Sequence, residues 1–279
     1  MIELRAYAKI NLFLEVLGKR EDGYHEIESV MQSVSLFDVV SLIKIESGIE
    51  IGSSELRIPL NVNNTAYKAA KVFFDQTGIK NGVRIGIKKN IPIAAGLAGG
   101  SADAAAALFG MNKLFNAGLS ESDLLTLAAE VGSDVSFCLI GGTCRCRGRG
   151  ELVNRLPDLP PTWFILVKPD FGVSTKWVYD NFDLVFVKEK RLAGTHVPTS
   201  AVHLYNDLEK VVVPKYPEVG ELKKKLVQMG CLQSEMSGSG PTVFGMAKDE
   251  GSAQKIFNEI KKEYPQSFLV RSVSSGLSV

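Results

Sequence analysis

The stretch best suited to chemistry is Pro92-Ile93-Ala94-Ala95-Gly96-Leu97-Ala98-Gly99-Gly100-Ser101-Ala102. Its glycines let backbone N–H groups approach an anion with no side chain in the way. The alanine-rich run from Ala102 to Phe115 reads as a helix, and its positive end would face whatever the loop holds. Ser101 could donate to a phosphate or face its magnesium ion. The helix-end effect is only about 0.3–2 kcal/mol, so a triphosphate needs several converging N–H groups and a metal as well. The chain contains neither G-x-x-x-x-G-K-[ST] nor G-x-G-x-x-G, so this is not a Walker loop or a dinucleotide fingerprint. A glycine-rich turn capping a tightly packed helix explains the same residues, and composition alone leaves both readings open.

A second stretch, Ser237-Gly238-Ser239-Gly240-Pro241-Thr242, offers hydroxyls and free N–H groups before a strand. It suits phosphate contact, but a tight strand-entry turn is the simpler reading. Lys9 and Asp134 are the third feature. Each sits among apolar neighbours, in Ala8-Lys9-Ile10 and Ser133-Asp134-Val135. Taken singly, the lysine reads as a snorkelling or ion-paired residue and the aspartate as a helix N-cap.

The elements that must position these groups follow from periodicity. Ile2 to Val16 is β-prone, with a polar interruption at Lys9-Ile10-Asn11, and Gly18 to Gly23 reads as a charged turn. Strands are expected over Val34 to Glu46, Gly82 to Lys88, Trp163 to Val167, Pro241 to Ala247 and Phe268 to Val273. Helical spacing marks Asn64 to Gln76, where Ala66, Ala69, Ala70 and Phe73 share a face. It also marks Tyr216 to Met229 and Ser252 to Tyr264. Ser120 and Asp123 form a capping-box start for a helix ending near Val131. Gly141 to Glu151 reads as a glycine- and arginine-rich strand or loop, with Arg145, Arg147 and Arg149 on a solvated face as the major reading and a phosphate role as the minor one. Pro157, Pro160 and Pro161 suggest a boundary between residues 1–155 and 156–279. The expected class is α+β with two domains.

Composition excludes other classes. The chain has 279 residues, 45% of them hydrophobic, and a net charge of +1. This argues against disorder and against broad nucleic-acid or anionic-membrane binding. The four cysteines lack C-x-x-C spacing. Cys144 and Cys146 would point the same way on a strand, which leaves a metal or redox pair as the minor reading and reduced thiols as the major one. Charges interrupt the opening residues too early for a signal peptide, and no apolar run is long enough to cross a bilayer. A cytoplasmic location is therefore the expectation.

Taken together, Lys9-Ile10-Asn11-Leu12, the Pro92 loop, Gly132-Ser133-Asp134-Val135 and Ser237-Gly238-Ser239-Gly240-Pro241 resemble the GHMP kinases in order and spacing. The match is nearest to the branch that phosphorylates 4-diphosphocytidyl-2-C-methyl-D-erythritol, through Ala8-Lys9-Ile10-Asn11-Leu12, Gly23-Tyr24-His25-Glu26 and Asn206-Asp207-Leu208-Glu209. The resemblance spans nearly the whole chain and is weakest between Asn181 and His203.

The resemblance implies a two-domain GHMP kinase fold, with ATP as phosphate donor, Mg2+ as cofactor and a cytidine diphosphate sugar alcohol as acceptor. It implies a monomer or weak homodimer with no nucleic-acid or membrane partner. Asp134 would orient the acceptor hydroxyl and take its proton, and Lys9 would hold that carboxylate ionised. Pro92 to Ala102 would wrap the phosphates, with Ser101 near magnesium. Asn64 and Lys89 would lie by the adenosine. Asn11, Gly238, Ser239 and Gly240 would meet the acceptor or the phosphates. Tyr24, His25 and Tyr179 would take the cytosine, two rings stacking and the histidine bonding its edge. The family loop often reads Gly-Leu-Gly-Ser-Ser, whereas here Ala98 follows Leu97. A positive φ would strain an alanine, so Ala98 is expected at negative φ. Tyr24 and His25 argue against acceptors without a nucleobase. Intact Lys9, Asp134 and Ser101 argue against a non-catalytic sensor.

Overall fold

The computed structural model describes residues 1–186 and 204–279. The segment of weakest family resemblance falls largely outside them. Two long strands, β1 (Ile2–Lys19) and β2 (His25–Ile45), form an antiparallel hairpin that closes at Lys19 and His25. The sequence suggested a broken first strand and a second beginning only at Val34. Alternation explains the continuity. Leu4, Ala6, Ala8, Ile10 and Leu12 enter the main core, while Lys9 and Asn11 take the opposite face. Polar residues at alternate positions do not end a strand whose second face lines a cleft.

Next come β3 (Ile49–Ser53), α1 (Thr65–Thr77), β4 (Gly82–Lys88) and α2 (Gly99–Phe115). Ala66, Ala69, Ala70 and Phe73 are the residues that α1 buries, as their spacing predicts. They are followed by α3 (Glu121–Val131), α4 (Val135–Ile140), β5 (Thr143–Gly148) and β6 (Leu152–Arg155). The capping box forms at α3: the Ser120 hydroxyl accepts from the Asp123 N–H, and the Asp123 carboxylate accepts from the Ser120 N–H. The helices α1 to α4 pack with β1 and β2 around one apolar cluster.

The later part of the chain holds β7 (Trp163–Val167), α5 (Thr175–Phe186), β8 (Tyr205–Asn206), α6 (Glu209–Lys215), α7 (Pro217–Gln228), β9 (Gln233–Met236), β10 (Val243–Met246), α8 (Glu250–Glu263), β11 (Ser267–Arg271) and β12 (Leu277–Ser278). A four-stranded antiparallel sheet runs β11-β7-β10-β9. The remaining eight strands form the first sheet, in which β8 and β12 both return to pair with β1. Leu14 of β1 belongs to the second apolar cluster, whereas Leu12 belongs to the first. One strand therefore ties both cores together, with a register shift between Asn11 and Phe13 where it passes from one to the other. Among the described residues, no helix is long and apolar enough to cross a membrane, and no group of three or more His, Cys, Asp or Glu could hold a metal. Cys138, Cys144, Cys146 and Cys231 are all buried free thiols. Burial pushes the Cys144 thiol up to about 11, which argues against a reactive or metal-binding pair.

Candidate active site

A cleft of about 860 Å³, lined by β1, the first glycine loop, the start of α5 and the second glycine loop, collects most of the residues singled out above. Its floor is the cleft-facing side of β1. The Lys9 ammonium donates to Asn11 Oδ1 at 2.6 Å. Asn11 Nδ2 donates to Ser29 Oγ at 2.9 Å, and that hydroxyl donates to the Phe13 carbonyl at 2.7 Å. This relay runs across the hairpin and fixes the Asn11 oxygen toward the lysine. Asp134 precedes the short α4, and its side chain makes no cap bond to that helix. The carboxylate instead faces Lys9, with Oδ2 3.5 Å from the ammonium. Residues 125 positions apart in sequence thus form one ion pair. Lys9 is buried and Asp134 is partly open to the cleft.

The first glycine loop turns above this pair and leads into α2. Helix α2 has no side-chain N-cap and no acidic residue in its first turn, so its first N–H groups are left for another partner. Helix formation starts at Gly99, three residues before Ala102, which puts Ser101 in the first turn, half-buried in the cleft wall. Ala98 has φ of 57° and Ala94 φ of 51°, both left-handed. The expectation of negative φ at Ala98 was wrong. Its carbonyl must accept from the Ala102 N–H at 2.9 Å to open the helix, while the chain arrives from the reverse turn at Gly96. The fold therefore holds an alanine where glycine is easier, at about 1–2 kcal/mol.

The second loop closes on the first. Ser237 Oγ donates to the Gly96 carbonyl at 2.9 Å. A Cβ on Gly238 would lie 3.1 Å from the Lys9 ammonium and 3.3 Å from Asn11 Oδ1, so only glycine lets this backbone approach the ion pair so closely. Asn206 holds the loop from below, donating to the Met236 and Gly238 carbonyls at 2.8 Å each. Thr175 and Ser239 share a hydroxyl–hydroxyl bond at 2.8 Å. Sequence reading assigned Asn206 and Thr175 no such tasks. An Asn with three satisfied bonds, the third to the Leu208 N–H, carries no local signature.

Three groups of expected ligand contacts line the cleft and also have partners within the protein. Asn64 lines the cleft, but its side chain caps α1 by accepting from the Ala66 N–H and donates to the Pro59 carbonyl. Lys89 also borders the cleft, but its ammonium is held between two buried carboxylates, Asp38 and Asp103, the latter at 2.8 Å. The third is the aromatic group. His25 stacks directly on Tyr179, with centroids 4.9 Å apart. Tyr24 stands outside that stack, half-exposed beneath the Arg149 guanidinium.

The Asp38–Lys89–Asp103 cluster lies directly behind the first loop, where a Cβ on Gly99 would come within 3.1 Å of the lysine Nζ. Burial pushes the Asp103 carboxyl up to about 7, opposed by Lys89 and reinforced by Asp38. The two acids outnumber the lysine, so one of them is the easier to protonate. Lys89→Met would leave two buried carboxylates without a cation and is expected to cost about 3–5 kcal/mol, read as a fall in the urea midpoint. The pH dependence has a definite sign. A carboxyl raised in the folded state takes up its proton on folding. Its stabilisation is complete below the unfolded value of 3.8 and is lost as pH rises through about 7. The stability of wild type relative to Asp103→Asn should therefore fall between pH 5 and pH 8, and chemical denaturation at the two pH values checks it.

The comparisons agree with this architecture. The family models described as GHMP kinases N terminal domain and GHMP kinases C terminal match residues 64–142 and 194–266. The 4-diphosphocytidyl-2-C-methyl-D-erythritol kinase of Clostridium acetobutylicum is 44% identical over 280 residues, covering 98% of this chain and all of the relative. The kinase of the same name from Moorella thermoacetica is 44% identical, covering 98% of this chain and 99% of the relative. A crystal structure of 4-(cytidine 5'-diphospho)-2C-methyl-D-erythritol kinase superposes with a TM-score of 0.83 at 31% identity, over 97% of this chain and 99% of the other. Homoserine kinase from Cytophaga hutchinsonii shares the fold, with a TM-score of 0.75 at 23% identity, over 99% of this chain and 96% of the other. With two glycine loops meeting over a lysine–aspartate pair and relatives matched end to end, the chain belongs to the GHMP kinases.

Proposed function

We propose that this protein transfers the γ-phosphate of ATP to the 2-hydroxyl of 4-diphosphocytidyl-2-C-methyl-D-erythritol, a step of the non-mevalonate route to isoprenoid precursors, in the cytoplasm. The observation that carries the reading is the Lys9–Asp134 pair at 3.5 Å, set beneath the two loops in one cleft with Tyr24 and His25. End-to-end similarity to kinases of that name supports the acceptor.

Residues 1–155 carry the phosphate loop and the carboxylate, and residues 156–279 close the cleft. The loop's N–H groups and the start of α2 hold the triphosphate. Asp134 orients the acceptor hydroxyl and takes its proton as the oxygen attacks the γ-phosphorus. The bond to ADP breaks in the same displacement. Lys9 keeps Asp134 ionised and offsets negative charge growing on the attacking oxygen. Mg2+ suits the residues present. The cleft offers the Ser101 hydroxyl but, among the described residues, no three-carboxylate cage, as fits an ion that keeps its waters and binds chiefly through substrate phosphates. When bound, Mg2+ would supply neutralisation of the triphosphate's charge, with Ser101 beside it.

The product distinguishes acceptors. The carbon bearing the 2-hydroxyl carries no hydrogen, so the new phosphomonoester should give a 31P resonance without three-bond proton coupling. Phosphorylation of homoserine would give a triplet instead. A proton-coupled 31P spectrum of the reaction mixture tests the proposal, and a triplet would refute it.

A further inference from the structure

We propose that Arg149 binds the diphosphate of the acceptor, which makes the turn from Gly148 to Glu151 a phosphate subsite between the nucleobase end of the cleft and the reacting hydroxyl. This deepens the function proposed above and rests on an acceptor that is a nucleoside diphosphate derivative.

The arginines at 145, 147 and 149 read in sequence as one solvated face, but the structure separates them. Arg145 pairs with Glu28 at 2.5 Å. Arg147 is exposed and reaches Asn154 at 3.4 Å. Arg149 lies beyond the end of β5, where the chain turns, and its side chain enters the cleft with 25% exposure. Its guanidinium carbon sits 4.9 Å from the Tyr24 ring centroid. Nη2 donates to the Ala129 carbonyl at 2.5 Å. The guanidinium is thus held against a ring and a carbonyl rather than waving in solvent.

Its remaining capacity points to an anion. A guanidinium has five N–H donors, and the Ala129 bond uses one. The Glu151 carboxylate stands 4.0 Å from Nε, beyond hydrogen-bond length. That carboxylate instead accepts from the Arg149 backbone N–H at 2.8 Å. Asp22 is close enough for the arginine's charge to help hold its carboxyl below the usual range, though less than its bonds to Arg20 and the Tyr24 N–H do. Across the cleft, Lys176 is 84% exposed and pairs with Asp180.

Position supplies the second argument. On one side Arg149 touches Tyr24. On the other, the next residue in the turn approaches the catalytic carboxylate, since a Cβ on Gly150 would lie 3.6 Å from Asp134 Oδ1. In a cytidine diphosphate sugar alcohol, the two phosphates are bonded between the base and the carbon skeleton that carries the hydroxyl. A cation between the aromatic group and Asp134 therefore falls where those charges must lie. Guanidinium geometry suits paired phosphate oxygens better than a point charge does.

Calorimetric titration of the full chain with cytidine, CMP and CDP tests this. Wild type should bind CDP at least about tenfold more tightly than cytidine, the increment of a charge-assisted phosphate contact. Arg149→Gln should lose most of that increment while cytidine affinity stays unchanged, and Arg149→Lys should keep part of it. In turnover, the acceptor KM should rise in Arg149→Gln with kcat nearly constant, the sign of binding lost equally from ground and transition states. Two results would overturn the subsite. One is an intact CDP increment in Arg149→Gln. The other is an equal loss of cytidine and CDP, which would make Arg149 only a prop for Tyr24. Failure of wild type to bind any cytidine compound would instead remove the acceptor assignment beneath it.

Discussion

Asp134→Ala is expected to lower kcat by about 10²–10⁴-fold, the usual worth of a positioned proton acceptor, while the KM for ATP stays near wild type. The reason is local. The aspartate's side chain makes no cap bond to its helix, and among the described residues it pairs with Lys9 at 3.5 Å, so its removal leaves the phosphate loop in place. Asp134→Asn divides the carboxylate's two roles. An amide can still orient a hydroxyl but cannot take its proton at neutral pH. If proton removal dominates, Asn behaves like Ala. If positioning dominates, Asn keeps most of the activity. Either variant combined with Lys9→Met should lose less than the product of the single losses, because the two residues act as a unit.

The second large effect is expected at Gly96. Its φ is +75°, and a Cβ there would lie 2.1 Å from the Ser237 carbonyl oxygen and 3.0 Å from the Gly240 nitrogen. Both obstacles are backbone, so no rotamer change relieves them. Gly96→Ala must push the two glycine loops apart at the point where they cover the ion pair. A displacement near 1 Å between reacting groups costs about 10²-fold, which is the loss expected in kcat/KM. Ser237→Ala is the control. It removes one hydrogen bond to the Gly96 carbonyl and leaves the backbone packing, so its cost should be only about 0.5–1.5 kcal/mol of stability. Steady-state kinetics on the two variants checks the contrast, and wild-type kcat/KM in Gly96→Ala would contradict the loop contact.

What the sequence disclosed follows from how local each feature is. The alanine helix, the Ser120–Asp123 box and the buried face of α1 depend on residues within a few positions, and all three were legible. The Lys9–Asp134 pair was legible only through family resemblance, because nothing in either neighbourhood signals the other. Ala98 misled because local preference favours negative φ and the loop's path overrides it. Lys89 showed only its place at the cleft, not its partners. It lies 51 residues from Asp38 and 14 from Asp103, and only the fold reveals that both carboxylates hold its ammonium. The polar break at Lys9-Ile10-Asn11 disguised a strand with two working faces, one in the core and one in the cleft. Arg149 read as surface because strand alternation was carried one residue past the end of β5, where the chain had already turned.

The central claim is that this cleft phosphorylates a cytidine-bearing acceptor through Asp134. The direct measurement is ADP release by the purified chain with ATP and magnesium, comparing 4-diphosphocytidyl-2-C-methyl-D-erythritol with mevalonate, homoserine and galactose, each with wild type and Asp134→Ala. The account predicts turnover on the cytidyl acceptor alone, lost in the variant. Turnover on one of the other acceptors, or full activity in Asp134→Ala, would contradict it.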